Sequence, residues 1–358
     1  MKKNKINWWY NFINLNTKKK LSRFILNNNN FNEGKNTQIF EKRLCKILGV
    51  KYGLCTTSGT SALMLSLFTL GVRPGDEIII PNRGWIATAH AAYVLGAKIV
   101  LVDTYKDQNI NEAKICEKIS KRTKVIIPVH VNGHACKILK IKKIAKRYKL
   151  KLIEDSCQAF MSKYKQDFLG TFGDIGCYSF GSTKLLNNIQ GGFVVTNNKS
   201  LFNNLKLIKN HGVFNNFTDQ WNQPGFNFKY NEIQSKIGIE NLGFVKKKIK
   251  KLKLIERLYR QKIDNENITF LNHEFDREEI PLYTLIHSKK QGLIKFMRKF
   301  NIQIRPLPPS ISMSSYIKNK MNSFNKNNKF FENCYYLPSG PDLNIADLNR
   351  VCKTINNF

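Results

Sequence analysis

Lys184 ends a polar turn that follows an apolar run, in the segment 173–184. A lysine in a pocket that excludes water loses its proton more readily, and the free amine is then a nucleophile. The alternative is an ordinary surface lysine, because the chain carries 59 Lys and Arg residues and few of them can be buried. The segment alone leaves both interpretations open.

Two neighbouring acids, Glu154 and Asp155, follow an apolar run that is typical of a buried strand, and Gln158 comes shortly after them. In open α/β sheets, ligands bind beyond the carboxyl ends of the strands. An acid at such a position could bind a metal ion or pair with a cationic heterocycle. It could also do no more than cap the helix that follows.

The segment 57–63 is a run of small hydroxyl residues that leads into a helical pattern. Backbone N–H groups at the start of a helix bind phosphate, and hydroxyls beside them add further donors. The alternative is an ordinary Ser or Thr N-cap. Considered alone, the segment favours the cap.

Two histidines, His130 and His134, lie four residues apart, which on a helix is a metal-binding spacing. Gly133 lies between them after a predicted strand, so we expect no metal site. The eight cysteines are spread along the chain without a CxxC pair, which argues against a zinc ribbon and a small disulfide-rich fold. Reduced thiols in a cytoplasmic protein fit this pattern best.

The elements that must position these residues alternate between strand and helix from about residue 50 to 200. We predict strands at 77–80, 99–102, 125–129, 152–153, 177–180 and 193–196, and helices at 61–70, 87–95 and 138–148. The alternation predicts an α/β fold with a mostly parallel sheet. Because the strands are apolar throughout, we expect helices to flank the sheet on both faces.

The pattern changes beyond about residue 240. A basic amphipathic helix is predicted, and its apolar side carries Val245, Ile249, Leu252, Ile255 and Tyr259. Such a helix can bind a membrane surface, but we favour a surface helix with a solvated charged side. We expect a large domain over 1–240, which includes an N-terminal arm, and a smaller α+β domain over 241–358.

The net charge of +34 is the most unusual feature of the composition. A basic excess suggests nucleic acid or an anionic surface as a partner. The excess is mostly scattered Lys that accompanies many Asn and Ile residues, as adenine- and thymine-rich codons would produce, so we expect no nucleic-acid partner. The 42% of hydrophobic residues argues against disorder, and no apolar run approaches the roughly 20 residues of a membrane span.

Together, in this order and spacing, the segments resemble the DegT/DnrJ/EryC1/StrS family of pyridoxal-phosphate-dependent sugar aminotransferases, from about Phe40 onward. The core of the resemblance is Ile153-Glu154-Asp155 with Gln158, Gly173-Asp174, Ser179-Phe180 with Lys184, and Gly191-Gly192. The other matches are Ser58-Gly59-Thr60-Ser61-Ala62-Leu63, Gly75-Asp76-Glu77 with Pro81, Trp85-Ile86-Ala87-Thr88, Leu95-Gly96-Ala97, Val102-Asp103, Pro128-Val129-His130 with Gly133, Asn227 with Glu232-Ile233-Gln234, and Leu337-Pro338-Ser339-Gly340.

The resemblance implies fold type I of the pyridoxal-phosphate-dependent transferases and a role for each matching residue. Lys184 would form the Schiff base with the cofactor and then act as general base and acid. Asp155 would pair with the protonated pyridine nitrogen, and Gln158 would bond the 3′ oxygen of the ring. The ring would stack on Trp85, and the phosphate would be held by Thr60, Ser61 and Ser179.

Three further positions carry implied or open roles. Asn227 matches the position from which the family supplies a phosphate contact to the neighbouring subunit, which implies a homodimer with shared active sites. Arg305 could bind a phosphate or carboxylate bidentately, or it could form a structural ion pair. His211 recurs in the family and is a second candidate for substrate binding.

The implied reaction transfers an amino group from an amino acid, with L-glutamate expected, to a nucleotide-linked keto sugar. The product would serve lipopolysaccharide, capsule or another glycan. GDP-4-keto-6-deoxymannose, giving perosamine, is one candidate, and UDP- and dTDP-linked keto sugars are equally open. The alternatives are a related dehydratase, in which a histidine would replace Lys184, and a non-catalytic binding or regulatory relative. The intact set of Asp155, Gln158, Ser179 and Lys184 argues against both.

Two segments depart from the family pattern. After Lys184 the family has a glycine-rich stretch, whereas this chain has bulkier and more polar residues at 185–190. After Arg305 the family often has a His-containing stretch, whereas this chain has Pro308-Pro309-Ser310-Ile311-Ser312-Met313. The first departure leaves the orientation of the sugar open, and after the second we expect a substrate contact of the family to be lost or replaced.

Overall fold

A computed structural model describes residues 4–271, 275, 278–317 and 324–358. Its helices are α1 (Leu15–Leu26), α2 (Lys35–Leu48), α3 (Gly59–Thr69), α4 (Ala87–Tyr93), α5 (Ile138–Arg147), α6 (Lys199–Lys209), α7 (Glu232–Leu242), α8 (Val245–Lys262), α9 (Leu293–Lys299), α10 (Asn325–Phe331) and α11 (Ile345–Asn356). Its strands are β1 (Tyr52–Thr56), β2 (Glu77–Pro81), β3 (Lys98–Val102), β4 (Thr123–Ile126), β5 (Lys151–Asp155), β6 (Lys163–Tyr164), β7 (Asp167–Phe168), β8 (Ile175–Ser179), β9 (Gly192–Thr196), β10 (Ile268–Phe270), β11 (Leu285–Ser288), β12 (Arg305–Pro306) and β13 (Cys334–Tyr336).

A seven-stranded sheet with the order β1-β9-β8-β5-β4-β2-β3 forms the larger part of the fold. Strands β3, β2, β4, β5 and β8 pair in parallel, and β9 runs antiparallel to both of its neighbours, β8 and β1. The predicted α/β fold with a mostly parallel sheet is confirmed. The parallel strands all end at one edge, so the residues that follow them are brought together there.

Both faces of this sheet are buried, as the apolar strands predicted. Along β2, Ile78 and Ile80 face a core that includes α3, α4 and α6, whereas Ile79 faces a second core with α5. Successive side chains of a strand point to opposite faces, so an uninterrupted apolar strand needs a helix layer on each side. Farther along the sheet, α2 covers the second face with Phe40 and Leu44.

A four-stranded antiparallel sheet with the order β10-β11-β13-β12 lies in the C-terminal part of the chain. Residues of α8, α9 and α11 pack into one core with it, among them Tyr259, Met297 and Val351. Helix α8 packs by its apolar side as predicted, although Lys248 on this helix is also buried. Among the described helices, none is long and apolar enough to cross a membrane.

The N-terminal arm, residues 4–13, runs along this second sheet rather than away from the protein. Ile6 bridges to Ile302, and Trp9 bridges to Ser339, in both cases in parallel. The side chain of Ile6 is fully buried in the same core as α8 and α11. The arm is therefore a packed element of the fold, although it has almost no regular secondary structure.

Glu232 caps the start of helix α2, although it is far from this helix in the sequence. Its carboxylate accepts hydrogen bonds from the backbone N–H groups of Gly34, Asn36 and Thr37 and from the side chains of Asn36 and Thr37, at 2.8–3.0 Å. Although burial alone would raise the pKa of Glu232, these donors lower it below its usual value. Glu232 thus does from another helix what an N-cap side chain does locally.

A group of charged residues lies beneath β1. The buried ammonium of Lys209 is 2.7 Å from Glu33 Oε1 and donates to the carbonyl of Cys55 at 3.3 Å. Glu41 Oε1 accepts a hydrogen bond from the backbone N–H of Cys55 at 2.6 Å. Burial raises the pKa of Glu41 to about 7, although Lys209 and the Cys55 N–H oppose the shift.

Candidate functional site

A cavity of about 740 Å³ opens where β1, β5 and β8 end. This volume is within the usual range for sites that bind small molecules or cofactors. Most of the residues singled out from the sequence line it, namely Thr60, Trp85, Asp155, Gln158, Ser179, Lys184 and Arg305. The parallel sheet therefore gathers side chains that are far apart in the sequence, as its topology requires.

Helix α3 points its start at this cavity. Ser58 caps the helix, because its hydroxyl accepts from the N–H of Ser61 and the Ser61 hydroxyl accepts from the N–H of Ser58. Gly59 and Thr60 follow the cap and line the cavity. A side chain on Gly59 would come within 2.8 Å of Cys157 Sγ and 2.9 Å of Ser179 Cβ. Only glycine therefore lets the helix start so close to the end of β8 and to the residues that follow β5.

Asp155 supplies a carboxylate at the floor of the cavity, where it is only 4% exposed. Its Oδ2 accepts a hydrogen bond of 2.6 Å from the hydroxyl of Thr88, and its Oδ1 accepts one of 3.1 Å from the N–H of Cys157. Burial, with a contribution from Asp155, holds the pKa of the Cys157 thiol well above its usual range. The thiol next to Lys184 is thus protonated and a poor nucleophile.

The neighbouring acid, Glu154, is buried away from the cavity and holds the loop that precedes β8 by hydrogen bonds. Its carboxylate accepts from the N–H groups of Gly170, Phe172 and Gly173 and lies 2.9 Å from His130 Nε2. His134 instead contacts Glu279 and Asp107. Within the described residues, no group of three or more His, Cys, Asp or Glu side chains could hold a metal ion.

Gln158 and Ser179 add polar groups beside the acid. Gln158 Oε1 accepts from the backbone N–H of Asn132 at 3.0 Å, so the group that it can turn to the cavity is the donor NH₂. Ser179 ends β8, and its hydroxyl accepts a long hydrogen bond of 3.4 Å from Gly181 N–H. Ser179 ends β8 and Gln158 follows the end of β5, in the region where ligands of α/β sheets bind.

Lys184 lies in an irregular turn between β8 and β9, and side chains from distant parts of the chain hold the backbone of that turn. The carbonyl of Ser182 accepts from Trp9 Nε1 at 3.2 Å, and that of Thr183 accepts from the Tyr283 hydroxyl at 3.1 Å. The carbonyl of Lys184 itself accepts from Asn11 Nδ2 at 2.6 Å. The turn has a hydrogen bond of its own, from the N–H of Lys184 to the carbonyl of Gly181 at 2.9 Å, and side chains from distant parts of the chain hold its next three carbonyls.

The bulky stretch after Lys184 packs inward. Leu185 and Leu186 are buried in the core of the second sheet face, and Asn187 and Asn188 are buried as well. Asn187 donates to the carbonyl of Asn11 at 2.8 Å, and its own carbonyl accepts from Asn241 at 2.5 Å. The expected bulkier and more polar loop is therefore packed over 185–188, and its exposed residues Ile189 and Gln190 line the cavity.

Part of the cavity lining is aromatic and carries a cation. The Arg305 guanidinium lies 4.5 Å from the centre of the Trp8 ring, and Trp8 contacts the rings of Tyr283 and Tyr336 at about 6 Å. Arg305 is exposed and lines the cavity. A guanidinium held over an aromatic face keeps its in-plane N–H groups available to an anion.

The unusual segment 308–313 is attached to the residues that precede Trp85. Asn82 accepts from the N–H of Ile311 through its carbonyl and from the N–H of Ser312 through its side chain. Arg83 donates to the hydroxyl of Ser310 at 2.9 Å and lies over the Phe331 ring. Burial lowers the pKa of Arg83 to about 10, so the residue stays charged at neutral pH.

Three residues named from the sequence lie outside the cavity of their own chain. Ser61 is buried and its hydroxyl takes part in the cap of α3. Asn227 forms an isolated bridge with Asn210, and His211 follows that bridge with a left-handed backbone conformation (φ 60°). Neither Asn227 nor His211 lines the cavity.

The structure also adds residues that sequence reasoning missed: Trp8, Trp9, Asn11, Thr88 and Tyr283. Thr88 belongs to a matched segment, but its bond to Asp155 has no local signature. The pair Trp8-Trp9 is a weak signal, because two tryptophans in an otherwise polar arm need something to pack against. The contacts of Asn11 depend entirely on the tertiary fold.

Comparison with known proteins agrees with this geometry. A model of the DegT/DnrJ/EryC1/StrS aminotransferase family matches residues 14–356. GDP-perosamine synthase of Escherichia coli O157:H7 is 29% identical over 91% of each chain, and the UDP-4-amino-4,6-dideoxy-N-acetyl-beta-L-altrosamine transaminase of Campylobacter jejuni is 27% identical over 90% of this chain and 89% of its own. The solved structure of Helicobacter pylori PseC, an aminotransferase involved in pseudoaminic acid biosynthesis, superimposes with a TM-score of 0.90 and 26% identity over 99% of each chain.

Proposed function

The chain belongs to the DegT/DnrJ/EryC1/StrS aminotransferase family and is a sugar aminotransferase, and we propose that its reaction takes place in the cavity that Lys184 and Asp155 share. The buried carboxylate of Asp155 is the observation that carries the proposal. A carboxylate that is 4% exposed and held by two donors is positioned to meet a cation inside the cavity.

Pyridoxal phosphate, when bound, supplies an aldehyde that accepts amino groups and a ring that withdraws electrons from the reacting carbon. The residues fit this group, because the cavity is lined by a buried acid, a lysine and the start of a helix. Asp155 would hold the proton of the ring nitrogen, and the NH₂ of Gln158 would donate to the ring oxygen. Thr60 and Ser179 would bind the phosphate together with the start of α3. Trp85 would cover the ring, and Ser61 would support this end of the site through the cap.

Lys184 would anchor the cofactor and then move the proton that an amino transfer requires. When its amine at Nζ is free and unprotonated, it is a base that can take a proton from one carbon and return the same proton to another. The protonated thiol of Cys157 next to it does not compete. The hydrophobic and aromatic lining of the cavity would limit access of water during this step.

The acceptor that we propose is a nucleotide-linked keto sugar, and the donor is L-glutamate. The E. coli relative is named for GDP-perosamine, which makes a GDP-linked 4-keto sugar the first candidate, and the C. jejuni relative is named for a UDP-linked sugar. Arg305, over Trp8, would bind the diphosphate of the sugar or the carboxylate of the donor. His211 does not line the cavity of its own chain, so it would contact only a substrate bound outside that cavity. The product would enter lipopolysaccharide, capsule or another glycan.

We propose a homodimer with shared sites. Three aromatic side chains close together in the sequence are strongly exposed, Phe214 (58%), Phe217 (98%) and Trp221 (70%), and the partner subunit would cover them. Asn227, which lies outside the cavity of its own chain, would reach the phosphate of the partner's cofactor.

We also propose the domain division at 240/241 and a cytoplasmic location. The eight cysteines, all within the described residues and all unpaired, support the location.

Turnover tests the function directly. The purified protein should show a visible absorption band with pyridoxal phosphate and should convert a keto sugar from a panel of GDP-, UDP- and dTDP-linked substrates in the presence of glutamate. Lys184→Ala should abolish both the band and turnover, whereas Lys143→Ala, which removes an exposed lysine on α5, should change neither. A wild-type protein with no band, or a Lys184→Ala variant with full turnover, would refute the proposal.

A further inference from the structure

We propose that the N-terminal arm is part of the active site, and that Asn11 and Trp9 are positioning residues for Lys184. The inference rests on the proposed function, because it takes Lys184 as the reacting lysine. Its basis is the way in which the turn 182–184 is held. Each of three successive carbonyls in this turn accepts a hydrogen bond from a side chain, and the arm supplies two of the three donors.

Asn11 makes the most direct contact. It is 6% exposed, and its Nδ2 donates to the carbonyl of Lys184 at 2.6 Å. Its backbone carbonyl accepts from Asn187 Nδ2 at 2.8 Å. The residue therefore bonds the chain both at the lysine and just after it, and a shift of the arm would move the lysine backbone.

Lys248 fixes the orientation of the Asn11 amide. Its buried ammonium donates to Asn11 Oδ1 at 2.7 Å. An ammonium can only donate and a backbone carbonyl can only accept, so the amide has one orientation that satisfies both neighbours. The hydrogen bonds thus run in one direction, from Lys248 to the Asn11 side chain and from that side chain to the backbone carbonyl of Lys184.

Trp9 supports the same turn from its other side. Its indole N–H donates to the carbonyl of Ser182, and its ring lies 5.1 Å from the ring of Tyr283, which donates to the carbonyl of Thr183. The arm itself is held by backbone pairing of Ile6 and Trp9 with the C-terminal sheet region. The lysine is therefore positioned by the second part of the fold through the arm.

A displaced lysine should slow the chemical step more than it weakens substrate binding, since misplacement by about 1 Å can cost about 100-fold in rate. Asn11→Asp is the informative variant. It keeps the size of the side chain and the contact with Lys248, but it puts a second acceptor against the Lys184 carbonyl. Trp9→Phe keeps a ring beside Tyr283 and removes only the donor. Asn14→Ala is the matched control, because it removes the N-cap of α1 next to the arm without touching the turn.

The test measures kcat, KM, the pH midpoint of the visible band of the cofactor-loaded enzyme, and thermal stability. For Asn11→Asp we expect kcat to fall about 10- to 100-fold, KM to stay within about threefold, and the pH midpoint to shift, with little change in Tm. Asn14→Ala should leave kcat and the pH midpoint unchanged. A loss of activity that follows Tm without a shift of the pH midpoint would show a merely structural role and overturn the inference.

An Asn11→Asp enzyme with wild-type kcat and pH midpoint would also overturn it. If Asn11→Asp does not fold, Trp9→Phe decides by the same criteria. A smaller fall in kcat is expected, because this variant removes a donor to Ser182 without placing an acceptor against the carbonyl of Lys184. Failure of the underlying function is distinguishable. In that case the wild-type protein itself shows no visible band, and the inference falls with it.

Discussion

Thr88 is the residue whose replacement tests the site most directly. Its side chain is 1% exposed, and its hydroxyl donates to Asp155 Oδ2 at 2.6 Å, a short hydrogen bond to a carboxylate. Thr88→Val keeps the shape of the side chain and removes the donor. A hydrogen bond to a charged group contributes about 1.5–3 kcal/mol, and a tenfold change in affinity is about 1.4 kcal/mol. We therefore expect cofactor affinity to fall about 10- to 100-fold.

The assay is a titration of pyridoxal phosphate into the cofactor-free protein, followed by absorption and by tryptophan fluorescence. Thr88→Ser is the control, because it keeps the hydroxyl and should stay within about threefold of the wild-type Kd. Urea unfolding of both variants separates lost affinity from lost stability. A Thr88→Val protein whose Kd equals that of Thr88→Ser would refute the argument that this bond prepares Asp155 for its partner.

Two further predictions concern stability. Burial raises the pKa of Glu41 to about 7, so the folded protein binds this proton more tightly than the unfolded chain does. The free energy of unfolding of the wild type should therefore fall by up to about 3 kcal/mol, through this residue, as the pH rises from about 4.5 to 7. Glu41→Gln should remove that slope in urea unfolding at pH 5 and pH 8, and an unchanged slope would contradict the assignment. Glu232→Ala should lower the free energy of unfolding by about 3 kcal/mol at pH 7, since five hydrogen bonds at the start of α2 are lost. Because the pKa of Glu232 is lowered, its contribution should be present at neutral pH and disappear in acid, and a difference below about 0.5 kcal/mol at pH 7 would count against the role of this carboxylate.

Much of the large sheet was predictable because its strands are buried on both faces. Strands β2, β3, β4, β5, β8 and β9 each contain an apolar run that the sequence analysis identified. Strand β1 was missed, since Gly53 interrupts it and the polar segment that begins α3 follows at once. The antiparallel direction of β9 was not predicted either, because direction depends on the connection and leaves no trace in apolar periodicity.

The cavity was predictable to the extent that its residues follow strands. Asp155 and Ser179 end strands, and Thr60 and Trp85 follow them, so the parallel topology brought all four together. The family prediction was confirmed by the match over residues 14–356. The contacts of Asn11 and Thr88 were not predictable, because each joins residues that are distant in the chain through one hydrogen bond.

The docking of the N-terminal arm has a consequence for how the chain acquires its native state. The arm bonds residues that are far from it in the sequence: Trp8 and Gln303 are separated by 295 positions, and Phe12 and Asp342 by 330. The entropy of closing a long loop has to be lost before the contact contributes, so contacts of this range slow folding. A chain that has formed the seven-stranded sheet would therefore still have to close these contacts before the arm could hold the turn around Lys184.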